Sequence, residues 1–218
     1  ALSYIVRIVP ALLRGAGVTL ALFALVFPLS LPLGFLVTLC ANCRFKPVKW
    51  LAEAYIFVMR GTPLMLQLFF FYYGLPFLPG IGQYLRLSSF AAAALSFTLN
   101  YAAYFAEIFR GGLLSIDRGQ YEVSHVLGLT SFQTMTRIII PQMIRVTLPS
   151  IGNEAITLVK DTALVASIAL PELLHYAKGI VTRDFTTTPF IVAAFIYLLI
   201  TFVVTVLFKF AERKTNYE

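Results

Sequence analysis

Residues 15–43 read GAGVTLALFALVFPLSLPLGFLVTLCANC: 29 consecutive positions without a lysine, arginine, aspartate or glutamate. About 20 mostly apolar residues cross the hydrocarbon core of a bilayer as a helix. Three more uncharged runs follow, at 61–85, 87–106 and 185–208. A fifth apolar region, 138–170, is long enough to span but carries Arg145, Glu154, Lys160 and Asp161. These runs predict an all-α integral membrane protein with five transmembrane helices, forming one domain over residues 1–218.

Composition agrees. Charged residues make up 12% of the chain and apolar ones 59%, whereas a soluble domain has about 25% charge. That is too little charge to cover a water-exposed surface. A soluble enzyme, a nucleic-acid binder and a disordered tail are excluded as readings. The net charge of +7 is read by position, because basic residues flank the apolar runs as orientation signals do. Arg44, Lys46, Lys49 and Arg60 sit in or beside the first connection, and Arg110, Arg118 and Arg137 in the third. Lys209, Arg213 and Lys214 follow the last run. Arg7, Arg14, Arg86, Lys178 and Arg183 lie on the other side. The excess puts the C-terminus in the cytoplasm and, with five spans, the N-terminus outside.

Finer features give further expectations. Residues 2–13 suit a short interfacial helix before the first span, and Pro28 and Pro32 predict a kink within it. No charged, cleavable leader precedes the first run. Residues 74–88 hold Gly74, Pro76, Pro79, Gly80 and Gly82 and suit an external loop. Cys40 and Cys43 form a C-x-x-C without a surrounding βαβ pattern and read as helix-end packing. Neither His125 nor His175 has partners at metal-ligand spacing, so no metal site is expected, and no catalytic constellation is seen.

The cytoplasmic stretch 110–141 reads RGGLLSIDRGQYEVSHVLGLTSFQTMTRIIIP. Asp117 followed by Gln120 resembles a capping box, and a short helix is predicted over 118–127, stopping at Gly128. Val123, Val126 and Leu127 form an apolar stripe, with Glu122 and His125 elsewhere on its surface. Such a helix suits a partner's groove, or packing on its own protein.

This segment resembles the EAA motif in permease subunits of binding-protein-dependent ABC importers: E-A-A, three residues, G, nine residues, I-x-L-P. Here stand Glu122-Val123-Ser124, Gly128 and Ile138-Ile139-Ile140-Pro141 at those spacings, with Val123, Ser124 and Ile140 as departures. Residues 60–64 (RGTPL), 107–112 (EIFRGG), 119–120 (GQ), 148–154 (LPSIGNE) and 160–164 (KDTAL) are similar to the polar amino acid subfamily. The resemblance implies five spans, a coupling helix carrying Asp117, Gln120, Glu122, His125 and Gly128, and a second permease copy or paralogue. It also implies two cytoplasmic ATPase subunits holding ATP and Mg, an extracytoplasmic solute-binding protein, and alternating access in the inner membrane of a prokaryote. The chain has no G-x-x-x-x-G-K-[ST] phosphate loop, so a nucleotide site belongs to another subunit.

Ionisable groups at bilayer depth cost about 2.5–3.5 kcal/mol each and normally face a cavity or the bundle interior. Glu154 and Asp161 are seven apart and share a helix face with Thr157, whereas Lys160 lies about 120° from Glu154. Pro149 and Gly152 suggest a nearby interruption. An amino acid has a carboxylate and an ammonium. Lys160 is expected to attract the first, Glu154 or Asp161 the second, and Asn100 to add hydrogen bonds. Two alternatives stand: Lys160 and Asp161 pairing across a dimer, and Asn100 joining helices. At the level of the whole protein, the rivals are an ion-coupled secondary amino acid transporter and a non-transporting assembly subunit.

Overall fold

The computed structural model describes residues 2–216. It is all-helical: α1 (Leu2–Ala41), α2 (Lys46–Gly61), α3 (Leu64–Phe69), α4 (Ser89–Ser115), α5 (Arg118–Val126), α6 (Ser131–Thr134), α7 (Ile140–Asp161), α8 (Leu173–Asp184) and α9 (Thr188–Asn216). Wider π turns continue α3 (Phe70–Gly74) and lead into α7 (Met135–Ile139), and a 3₁₀ segment (Thr162–Ile168) follows α7.

Two helices, Ser3–Ala41 and Thr188–Thr215, are long and apolar enough to cross a membrane, and α2 with the helical stretch after it makes a third if that pair, bent by 104°, is one span. The other predicted crossings are less apolar, and part of their polar content turns inward. Asn100 and Tyr101 on α4 are buried, and Asp161 on α7 is bonded to Tyr101.

α1 is continuous, so the separate helix expected over 2–13 is the outer part of the first long helix. Pro10, Pro28 and Pro32 are accommodated without ending it. At 1.5 Å per residue its 40 residues measure about 60 Å, twice the hydrocarbon core. The surplus is covered: Ile8 and Leu12 pack with Leu173, Ala177 and Ile180 of α8 and Ala193 of α9. The Tyr4 hydroxyl donates to Asp184 Oδ2 (2.7 Å). Arg183 and Tyr4 hold the Asp184 carboxyl well below the usual carboxylate range.

The core lies along α1 and α4. Phe27 meets Phe105 edge-on at 5.8 Å, as Phe35 meets Phe109. Small residues let the two backbones approach. A Cβ on Gly34 would stand 2.8 Å from the Ala102 carbonyl, and Thr38 donates to the Ala106 carbonyl (3.0 Å).

The interruption expected near Pro149 and Gly152 does not occur there, since α7 runs through both. Gly152 is instead a packing glycine against Phe208 of α9. The break comes later, at the 3₁₀ segment and Ala169, whose φ is +57°. Fully buried Glu172 then caps α8, accepting from the Leu174 and His175 amides and the Tyr197 hydroxyl.

The α1–α8 contact gives a test two residues wide. A Cβ on Gly15 would lie 2.8 Å from the Glu172 backbone, whereas one on Gly17 meets nothing within 4 Å. Gly15→Ala is expected to destabilise the detergent-purified protein by about 1–3 kcal/mol. Gly17→Ala is expected to stay within about 0.5 kcal/mol. Thermal unfolding followed by intrinsic fluorescence reads both.

Candidate functional site

The site is built where α2 breaks into α3. Pro63 has no N–H and pushes Thr62 into an extended conformation, so the Met59 carbonyl loses its helical donor. Two amides replace it. Gln67 Nε2 donates to the Met59 carbonyl (2.9 Å) and the Thr62 hydroxyl (2.7 Å). Asn100 Nδ2 donates to the same carbonyl (2.9 Å) and to Gln67 Oε1 (3.0 Å). Asn100 thus ties α4 to the break with its donor end, which accords with a role in joining helices. Its carbonyl oxygen is left to accept.

Beside this knot is a cavity of about 420 Å³. The break supplies Arg60, Thr62 and Pro63; α4 supplies Asn100, Tyr101 and Tyr104; α7 supplies Glu154, Thr157 and Asp161. The 3.6-residue period brings the three α7 residues to one wall, as their spacing predicts. Tyr101, buried, donates to Asp161 Oδ2 (2.7 Å). Thr157 donates to the Asn153 carbonyl (3.0 Å) and keeps its acceptor capacity.

Lys160 is not brought to this cavity. Its side chain is exposed, about 100° around α7 from Asp161 and on the same face as Asn153. The cation in the cavity is Arg60, which the sequence placed beside the first connection. Its Nη1 lies 3.3 Å from Glu107 Oε2 and its guanidinium lies over the Tyr104 ring at 5.4 Å. Glu107 also pairs with Arg110 of its own helix at 2.7 Å.

Arg60, Tyr101, Tyr104 and Gln67 were missed as site residues. Part of the signal existed: Asn100, Tyr104 and Glu107 are spaced four and three apart, on one face of α4. Gln67 falls four residues after the proline whose break it repairs.

The predicted coupling helix is α5. Asp117 caps it by accepting from the Gly119 amide (2.6 Å), but Gln120 does not close a capping box. Its side chain accepts from Gln142 of α7 instead (3.3 Å). The box forms one element later, between Thr130 and Gln133. Gly128, with φ of +74°, ends α5, and the Leu129 and Gly128 amides return to the Ser124 and His125 carbonyls, a Schellman termination. Ser124 is fully buried, which explains a small residue there. Val123, Val126 and Leu127 are exposed, Val126 at 87%. Tyr121, Glu122 and His125 line a groove of about 350 Å³ with Ser131 and Thr134. Among the described residues, no group of three His, Cys, Asp or Glu side chains is placed to hold a metal ion.

Comparison with known proteins accounts for this arrangement. Residues 30–217 match the family described as the binding-protein-dependent transport system inner membrane component. The arginine transport system permease protein ArtQ of Bacillus subtilis (strain 168) is 37% identical over 208 residues, 94% of this chain and 93% of that protein. The L-cystine transport system permease protein TcyB of the same organism is 35% identical over 209 residues, 95% of this chain and 87% of that one. Among solved structures, an amino acid ABC transporter with histidines superposes with a TM-score of 0.89 at 33% identity, covering 98% of both chains. The MetNI methionine ABC transporter shares the fold, with a TM-score of 0.79 at 19% identity over 96% of this chain and 98% of that one. A permease component of this family lacks a nucleotide-binding domain and works with an ATPase and a binding protein. The chain therefore belongs to the binding-protein-dependent ABC permeases, as a multi-pass bacterial inner-membrane subunit of an importer of polar amino acids.

Proposed function

We propose that the cavity between the α2–α3 break, α4 and α7 is where this permease holds its amino acid in transit. One observation carries the reading: a single cavity has a guanidinium on one wall and two carboxylates on another. A free amino acid carries the complementary pair of charges. Arg60 takes the solute carboxylate, in the role the sequence had suggested for Lys160. Glu154 and Asp161 take the ammonium or a cationic side chain, and Asn100 Oδ1 and Thr157 add acceptors. Charged groups this deep are tolerated because they face a cavity rather than lipid.

The chain crosses the membrane five times, N-terminus outside and C-terminus in the cytoplasm. The charge-flanked apolar runs support this, as does the burial of Asn100 and Tyr101 on α4. On the cytoplasmic side α5 and its groove dock an ATPase, which holds ATP and Mg, and two such ATPases serve a pair of permeases. The exposed stripe Val123, Val126 and Leu127 and the neighbouring Glu122 and His125 fit a groove on that partner. Lys160 and Asn153, exposed on an outward face of α7, support a second permease copy or paralogue there, because a lysine facing lipid is costly. ATP-driven alternating access moves solute from the binding protein to the cytoplasm. An ion-coupled carrier or a non-transporting subunit has no use for an exposed, doubly capped docking helix beside a charged cavity.

Two measurements test this. Uptake of arginine, glutamine, histidine and cystine into vesicles holding the reconstituted permease–ATPase complex is expected to fall at least about tenfold in Arg60→Gln and Asp161→Asn, which leave charged partners unmatched. It should persist in Lys160→Met. Normal uptake by the first two variants sinks the cavity reading. Separately, Val126→Asp places a charge in an apolar contact. Co-purification of the ATPase is expected to fall by about tenfold or more, with the permease's own unfolding temperature unchanged, because Val126 touches little of its own chain.

A further inference from the structure

A second cavity, of about 380 Å³, opens beside the first and is lined by Asn42 at the end of α1, Lys49, Glu53 and Arg60 on α2, and Glu107 and Arg110 on α4. Arg60 lines both cavities, and no other residue does. Glu107 lies on the second side, with one oxygen 3.3 Å from Arg60 and 2.7 Å from Arg110. The first cavity faces the α7 carboxylates. The second faces the cytoplasmic ends of α1 and α4.

We infer that Arg60 is a two-position switch on the exit path, and that Glu107 is a positioning residue that competes with the solute carboxylate for it. The second cavity is then a cytoplasmic exit station for the same amino acid, with Arg110 and Lys49 to receive its carboxylate and Glu53 its ammonium. This inference rests on the amino acid occupying the first cavity.

The chemistry follows from counting charges. Glu107 has two cations within reach, Arg60 and Arg110, and no second acid contests either at salt-bridge distance among the described residues. A solute carboxylate arriving in the first cavity offers Arg60 a second anion. While the solute holds Arg60, Glu107 keeps Arg110. When Arg60 turns back to Glu107, the solute loses its cation and the wall between the cavities is reset. The Arg60–Glu107 contact is long and half exposed, so each exchange is of modest size, as a reversible step requires.

The competition has a sign that a purely structural ion pair lacks. In the purified permease–ATPase complex, binding of tritiated arginine, glutamine and histidine is measured directly. Glu107→Gln is expected to tighten binding about fivefold, the size of a half-exposed pair. The same change in an Arg60→Gln background is expected to do nothing. Arg110→Gln frees Glu107 to hold Arg60 more firmly and is expected to weaken binding by a similar factor. In vesicles, Glu107→Gln should lower both KM and kcat, because the solute is held longer. Unchanged or weaker binding in Glu107→Gln, with the wild-type complex binding normally, overturns the switch. So does tightening that survives the loss of Arg60. If the wild-type complex binds none of the three, the first cavity is not the solute site, and that reading falls instead. Size-exclusion profiles of each complex separate these results from failed assembly.

Discussion

A carbonyl without its donor organises the centre of this protein. Pro63 cannot supply the N–H that the Met59 carbonyl would accept in a continuous helix, and an unmet carbonyl at bilayer depth costs several kcal/mol. Gln67 and Asn100 meet it together, and each also bonds the other. The 104° turn of α2 into α3 is therefore held by side chains from two helices rather than by the turn alone. Because Asn100 belongs to α4, the same bonds fix α4 against the break. Arg60, the residue after Met59, is thereby placed over Tyr104 and beside Glu107.

That placement explains why the helices around the cavity are poorer membrane spans than α1 and α9. A lipid-facing helix has no use for asparagine, tyrosine or aspartate in its middle, whereas a cavity wall does. α1 and α9 carry the apolar exterior, and α4 and α7 trade hydropathy for a polar interior. The same division separates the two glycine roles. Gly34 brings α1 onto α4, and Gly152 brings α7 onto α9, so each less apolar helix is set by close contact against one of the two long apolar ones.

Much of this was legible in the sequence. Uncharged runs of membrane length gave the two long apolar helices, α1 and α9, and seven-residue spacing put Glu154 and Asp161 on one wall. The same geometry separated Lys160 from Glu154, yet chemical complementarity drew it into the expected site all the same. What stayed hidden depends on contacts between distant segments. The role of Arg60 needs the break at Pro63 to be folded against α4, and the break after α7 needs the αL turn at Ala169 before Glu172. Proline and glycine at 149 and 152 suggested a break, but Gly152 was small for the sake of Phe208. A short cytoplasmic helix, by contrast, is specified by neighbours in sequence. The cap at Asp117 and the stop at Gly128 were readable within about one residue, and only the partner of Gln120 was misassigned.

The order of the elements supplies the last step. The chain leaves α4, forms α5 and α6, and enters α7 without any intervening span. The two helices that give the cavity its tyrosines and carboxylates are thus the two that the proposed docking segment joins. Gln120 of α5 also bonds Gln142 near the start of α7, and the capping box at Thr130 and Gln133 stiffens the return. Short connections join α5 to α4 at one end and, through α6, to α7 at the other, so a displacement of α5 is directed toward both. Tyr101 and Asp161, bonded across the cavity at 2.7 Å, lie on those same two helices. Relative movement of α4 and α7 must stretch or spare that bond. The cavity's charged groups and the proposed docking surface are therefore joined through the same two helices, which is the physical basis on which a subunit without a nucleotide site would respond to ATP bound elsewhere.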